Sequence, residues 1–200
     1  MKERMKPEDA VRAILQARGD AIAVPTMCAL TAWNRFAPGD EYTVGCVGFM
    51  GGASSIALGL ALGLPERKVL ALDGDGSLLM QLGSLASVAG AAPSNYVHFV
   101  FANNAYQTSG SQETPGGEAI SFATMARGAG YAAVFEFDDL ETFRTQLPAI
   151  LQARGPVMVE LHTGEAELSP MMPDAPNAGP FAQQVARLRE RLASERGQKG

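Results

Sequence analysis

Three short segments, Lys68–Leu72 (KVLAL), Tyr96–Ala102 (YVHFVFA) and Val157–Leu161 (VMVEL), are apolar almost without interruption. A strand with one face in water would alternate apolar and polar residues. An unbroken apolar strand of this length is of the kind covered on both faces in a parallel sheet. Such strands need helices above and below, and the intervening segments supply them. Pro7–Arg18 carries Val11, Ile14 and Leu15 at helical spacing, with Pro7 near its start. Ala29–Phe36, Ser77–Ala91, Ser121–Ala129, Leu140–Arg154 and Phe181–Ala193 read as further helices. Gly52–Leu64 is small and apolar on all sides, which predicts a buried helix ended by Pro65. Ala21–Val24, Tyr42–Val47 and Ala132–Phe137 read as the remaining strands. The alternation predicts an α/β fold: a doubly wound, mostly parallel sheet with helices on both faces and right-handed crossovers.

A chain of 200 residues makes one such domain. Its expected divisions are a core over 1–164, an irregular, proline-containing crossing segment over 165–180 and a terminal helix over 181–195. Hydrophobic residues make up 46% and charged residues 18%, which supports a core and excludes a disordered chain. With 16 Lys and Arg against 21 Asp and Glu, the net charge of −5 lacks the basic footprint of a nucleic-acid binder. The longest weakly polar run, Val44–Leu64, is broken by glycines and serines, so no transmembrane span is expected. MKERMKPEDAVRAIL has no apolar stretch of signal-peptide length, so a cytoplasmic location is expected. Cys28 and Cys46 lack CxxC spacing and read as two buried thiols in a reducing compartment. His98 lies mid-strand and reads as structural. His162 ends a strand at the carboxyl edge, where its role is open. The basic residues of the terminal helix read as a solvated face with an Arg191–Glu195 pair.

Ligands of open parallel sheets bind outside the carboxyl ends of strands. Two strand ends here carry unusual chemistry. In Leu72-Asp73-Gly74-Asp75-Gly76-Ser77, glycines permit a sharp strand-to-helix turn, and the helix start offers N–H groups to an anion. Asp73 and Asp75 would repel a bare phosphate. A Mg²⁺ ion between carboxylate and phosphate resolves that conflict; a plain Asp-Gly turn with a helix cap is the other reading. Asn103-Asn104 follows 28 positions after Asp75, across one helix and one strand, which returns the chain to the same sheet edge. An Asn carbonyl is a hard oxygen ligand for Mg²⁺, although Asn pairs also make ordinary turns.

GDG, a helix, a strand and then NN resembles the signature of thiamine diphosphate enzymes. Gly48-Phe49-Met50-Gly51 looks like the turn of those enzymes in which a glycine carbonyl holds the aminopyrimidine and an apolar residue bends the cofactor. The stretch Gly45–Thr114, with ASSIALGLAL, LDGDGSLLMQLGSLA and SGSQ, is similar to phosphonopyruvate decarboxylases and to the β subunit of sulfopyruvate decarboxylase. The resemblance implies a diphosphate-binding domain that uses thiamine diphosphate and Mg²⁺. Asp75, the Asn103 side chain and the Ala105 carbonyl become metal ligands, with Asn104 as an alternative to Asn103. Gly74, Gly76, Ser77 and Asn103 surround the diphosphate, and Gly48 and Met50 shape the cofactor. Ser109 stands where related pyruvate decarboxylases carry an acid, which argues against a plain pyruvate decarboxylase.

The resemblance also implies a missing half. Those enzymes protonate the aminopyrimidine with a Glu on a pyrimidine-binding domain, for which 200 residues leave no room. The expectation is a β-type subunit of a hetero-oligomer, with an α-type pyrimidine-binding partner, acting on a small 2-oxo acid of the sulfopyruvate or phosphonopyruvate kind. Asp73 and Asp75 are expected beside the metal, and the small-residue stretch Gly51–Ser55 against the partner. An acetolactate-synthase-like carboligating subunit and a non-catalytic phosphate- or nucleotide-binding accessory subunit are the alternatives.

Overall fold

The structure, a computed structural model, describes residues 4–48, 50–167 and 176–198. Five parallel strands form one sheet in the order β1-β2-β3-β7-β6: β1 (Ile22–Pro25), β2 (Val69–Gly74), β3 (Tyr96–Ala102), β7 (Val157–His162) and β6 (Ala133–Phe137). Strand periodicity sends alternate side chains to opposite faces. Leu70, Leu72, Val97, Phe99, Val157 and Val159 face α1 (Pro7–Ala17), α2 (Met27–Phe36) and α7 (Leu140–Gln152). Val69, Ala71, Tyr96, Val100 and Met158 face α3 (Gly52–Gly63), α4 (Asp75–Leu79), α5 (Ser84–Ala91), α6 (Phe122–Ala129) and α8 (Phe181–Gln198). The central strands are therefore buried on both sides, as their unbroken apolar sequences require. The crossovers bring the carboxyl ends of β2 and β3 side by side, with Gly74 opposite Phe101. No described helix is long and apolar enough to cross a membrane.

Several expectations need correction. Tyr42–Val47 is not a strand. It makes only the bridges Ala23–Thr43 and Thr26–Cys46 beside β1. Its far edge is closed at Gly45, whose N–H donates to Gln184 Oε1 at 2.6 Å and whose carbonyl accepts from Gln184 Nε2 at 3.2 Å. A side chain from α8 thus takes the groups a neighbouring strand would have used. The predicted helix Ser77–Ala91 is two helices, α4 and α5. Between them Met80 and Gln81 make tighter bonds to carbonyls three residues back, and Gln81 packs against Gly51. Ser121–Ala129 loses only its first residue to a cap: Ser121 Oγ accepts from Thr124 N–H at 3.0 Å. The polar, Gly- and Thr-rich stretch Asn103–Glu118, whose composition reads as a loop, is not all loop, because β4 (Ala105–Tyr106) pairs antiparallel with β5 (Gln112–Glu113).

The terminal helix runs to Gln198, past the expected end, and is more than a solvated face. Arg191 Nη2 does reach Glu195 Oε1 at 3.4 Å. Its Nε also donates to Tyr42 Oη at 2.9 Å, while Glu195 pairs with Arg67 at 2.5 Å. These bonds strap α8 back onto the body of the domain. Much of the crossing segment, 168–175, lies outside the described residues, as does Phe49. Gly51–Ser54 is buried within this chain, with Ser54 Oγ donating to Ser84 Oγ at 3.0 Å. Only Ser55 of the stretch expected to meet a partner is exposed.

Candidate active site

A pocket opens at the carboxyl ends of β2 and β3. Met50, Gly74, Asp75, Gly76, Ser77, Asn103 and Ala105 all line it. Of the residues expected near cofactor or metal, Gly48, Asp73 and the alternative ligand Asn104 lie outside this lining. Gly48 is the cofactor-shaping residue among them. It occupies the turn before Met50 with φ +83°, a conformation favouring glycine.

Asp75 is the hinge of the site. It opens α4 and is 3% exposed. Its Oδ1 accepts from Gly76 N–H at 2.7 Å, and its Oδ2 accepts from Asn104 N–H at 2.5 Å. One carboxylate thereby ties the ends of two strands together. Burial raises its pKa above the ordinary carboxylate range, while the backbone N–H bonds pull it down. Among the described residues lining the pocket, Asp75 is the one carboxylate, and no Lys or Arg lies beside it.

The Asn pair divides its work. Asn103 lines the pocket; its Oδ1 accepts from Ala105 N–H at 3.0 Å and its Nδ2 donates to Gln107 Oε1 at 3.3 Å. Asn104 adopts φ +63° and turns into a neighbouring cleft. Asp73 departs from expectation. Strand alternation carries it away from the pocket, fully buried, with Oδ2 at 3.6 Å from His98 Nε2. His98 is buried mid-strand beneath it, with Nδ1 at 3.4 Å from Tyr131 Oη.

Ser77 joins two loops: its Oγ accepts from Gly51 N–H at 2.8 Å, fixing the turn that presents Met50. Gly76 N–H is engaged by Asp75, so its contribution is bare backbone. A Cβ there would come within 2.5 Å of the Tyr106 ring.

Sequence reasoning missed Gln107, which is 5% exposed. Its Oε1 accepts from Asn103 Nδ2, from Cys28 Sγ at 3.5 Å and from Ala166 N–H at 2.9 Å, and its Nε2 donates to Ala166 O at 2.6 Å. It locks the orientation of the Asn103 amide. Its neighbours are distant in sequence, so no local pattern announces it. Met27 and Cys28, at the start of α2, form another part of the wall, and Met27 takes the strained φ of +49°. Burial, then the charges of Glu8 and Asp75, push the Cys28 thiol up to about 11. Neither cysteine is in a disulfide, and of the two thiols expected to be buried only Cys46 is fully so; Cys28 is half-buried in the pocket wall.

The oxygens of Asp75 and Asn103 in one buried pocket are a hard donor set that fits a divalent cation. The carboxylate has only N–H partners to offset its burial, which a cation would relieve.

Comparison with known proteins decides the family. Residues 22–161 match the thiamine pyrophosphate enzyme, C-terminal TPP binding domain. The chain belongs to this family. Phosphonopyruvate decarboxylase of Streptomyces hygroscopicus is 42% identical over 115 residues, covering 58% of this chain and 28% of that protein. Sulfopyruvate decarboxylase subunit beta of Methanocaldococcus jannaschii is 42% identical over 100 residues, covering 50% of this chain and 52% of that one. The chain thus spans about half the length of one curated relative and less of the other. The thiamine diphosphate-dependent 4-hydroxybenzoylformate decarboxylase of Rhodococcus jostii superposes with a TM-score of 0.65 at 22% identity, over 84% of this chain and 34% of that one. That likeness shows the fold. The expected α/β architecture and the resemblance to a thiamine diphosphate-binding domain are therefore both met.

Proposed function

We propose that this TPP-binding domain is the β-type subunit of a thiamine diphosphate-dependent 2-oxo acid decarboxylase, a carboxy-lyase. The observation that carries the reading is the convergence of Asp75 and Asn103, from two adjacent strand ends, in one pocket that also presents Met50. The names of the two curated relatives supply the substrate class: a small anionic 2-oxo acid of the phosphonopyruvate or sulfopyruvate kind.

When bound, thiamine diphosphate supplies the electron sink for loss of carbon dioxide. The chain's own residues hold and shape it. The Asp75 carboxylate, the Asn103 carbonyl and the Ala105 backbone carbonyl would hold the Mg²⁺ that accompanies the diphosphate. Gly74 and Gly76 let the backbone approach closely. Ser77 accepts from Gly51, and its hydroxyl proton would be available to a diphosphate oxygen. Met50 would shape the bound cofactor from the pocket wall, and Gly48 would offer it a backbone carbonyl. Gln107 holds the Asn103 amide in register.

The pyrimidine side and its acidic proton donor come from an α-type partner in a hetero-oligomer. Two observations support this: the naming of the half-matched relative as a β subunit, and Asp75 as the one carboxylate among the described residues of the pocket, already committed to two N–H groups. The test is co-expression with a pyrimidine-domain chain, followed by assay of carbon dioxide release from a panel of 2-oxo acids. The complex is expected to turn over with Mg²⁺ and thiamine diphosphate, and the single chain is not. Robust turnover by the single chain would overturn the division of labour.

A further inference from the structure

A second cluster of ligating side chains lies outside the cofactor pocket. Glu136 on β6 and Glu160 on β7 are direct partners across adjacent parallel strands, so their carboxylates stand side by side on one face. His162 lies two residues beyond Glu160 on the same face. One oxygen or nitrogen of each comes within 4.8 Å of the others, and His162 Nε2 is 2.8 Å from Glu136 Oε1. Glu160 and His162 line a cleft of about 320 Å³, separate from the pocket holding Asp75, with Asn104 on its wall.

Like charges directly across a sheet destabilise it unless something lies between them. The histidine serves Glu136. Glu160 is the unresolved member: it is 1% exposed, and only its Oε2 is satisfied, by Ala123 N–H at 2.8 Å and Ser121 Oγ at 3.3 Å. Its Oε1 is buried without a hydrogen-bond partner. A buried carboxylate oxygen left unpaired is costly, and a cation is the partner that satisfies it while relieving the repulsion between the two glutamates.

We propose that Glu136, Glu160 and His162 form a second divalent-cation site, distinct from the cofactor's Mg²⁺. Two carboxylates and an imidazole select a transition cation such as Zn²⁺ or Mn²⁺, because Mg²⁺ takes oxygen ligands and its own water. Three protein ligands leave further positions open to the cleft, and the ion bridges β6 to β7.

The test uses the full chain, stripped with chelator and without thiamine diphosphate. Titration with Zn²⁺ by calorimetry is expected to show one equivalent bound outside the Asp75 site, with a rise in Tm. Co²⁺ is expected to give a visible absorption band in the same stoichiometry. His162→Ala and Glu136→Gln alter half-exposed side chains, and far-UV circular dichroism checks that they fold. Each is expected to weaken Zn²⁺ binding at least tenfold and to abolish the Co²⁺ band. Asp75→Asn is expected to leave this binding intact. Absence of Zn²⁺ binding by the wild-type chain, or binding unchanged in both cluster variants, overturns the proposal.

Discussion

Asp75→Asn is the substitution on which the Mg²⁺ assignment turns. Asparagine keeps the shape of the side chain and one carbonyl oxygen. Whichever way its amide turns, the NH₂ group meets one of the two N–H donors, from Gly76 or Asn104, that the carboxylate now accepts. A buried donor left without an acceptor costs about 1–3 kcal/mol. Burial already holds the Asp75 carboxyl above its ordinary pKa, so loss of the charge recovers part of that desolvation cost. The net loss of stability is about 1–2 kcal/mol, small beside the roughly 5–15 kcal/mol of a domain, and the variant folds.

Metal binding has no such offset. Changing a residue that merely supports a metal ligand costs about 10–100-fold in affinity, so losing a charged ligand costs about 100-fold or more, near 2.7 kcal/mol. Inorganic diphosphate with Mg²⁺ is the probe, titrated calorimetrically into the chain, with urea unfolding in parallel. Binding to the variant within tenfold of wild type would refute the assignment. The pH dependence adds a sign. The deprotonated carboxylate binds the cation, so Mg²⁺ affinity falls as pH drops through the raised pKa, earlier than for an ordinary carboxylate. The stability of the metal-free chain runs the other way. A raised folded-state pKa means that its contribution falls as pH climbs from the ordinary value to the raised one, then stays level.

Met50 is half-buried in the pocket wall, so Met50→Leu should be near neutral. Met50→Ala should lower turnover of the assembled enzyme more than its Tm; a steep fall in Tm with normal turnover would refute its role in bending the cofactor. Gly45→Ala places a Cβ 2.0 Å from the Asn177 carbonyl oxygen and 2.9 Å from Leu30 Cδ1. Overpacking of that kind costs about 1–3 kcal/mol, a fall in Tm of about 2–12 °C, and an unchanged Tm would show that Asn177 and Leu30 do not pack tightly over Gly45. Burial pushes both Cys28 and Cys46 up to about 11, so iodoacetamide at neutral pH should label the folded chain slowly and the unfolded chain fully. Labelling of the folded chain at free-thiol rates would contradict that burial.

The chain's local patterns were enough to place β2, β3 and β7, because a strand covered on both faces must be apolar along its whole length, and that demand is written residue by residue. They also brought Asp75 and Asn103 together, since one helix and one strand between them return a parallel chain to the same edge. Tertiary structure decided the rest. Tyr42–Val47 has strand-like residues, but Gln184, far along the chain, occupies the backbone groups of Gly45. Ser77–Ala91 has helical residues throughout, yet it breaks where Gln81 must fit against Gly51. Asp73 and Asp75 look equivalent in the sequence. The end of β2 turns one into the core and the other into the pocket. Gln107, and the meeting of Glu136, Glu160 and His162, were invisible for the same reason: hydrogen bonds and charges act through space between residues that strand register, not sequence proximity, makes neighbours.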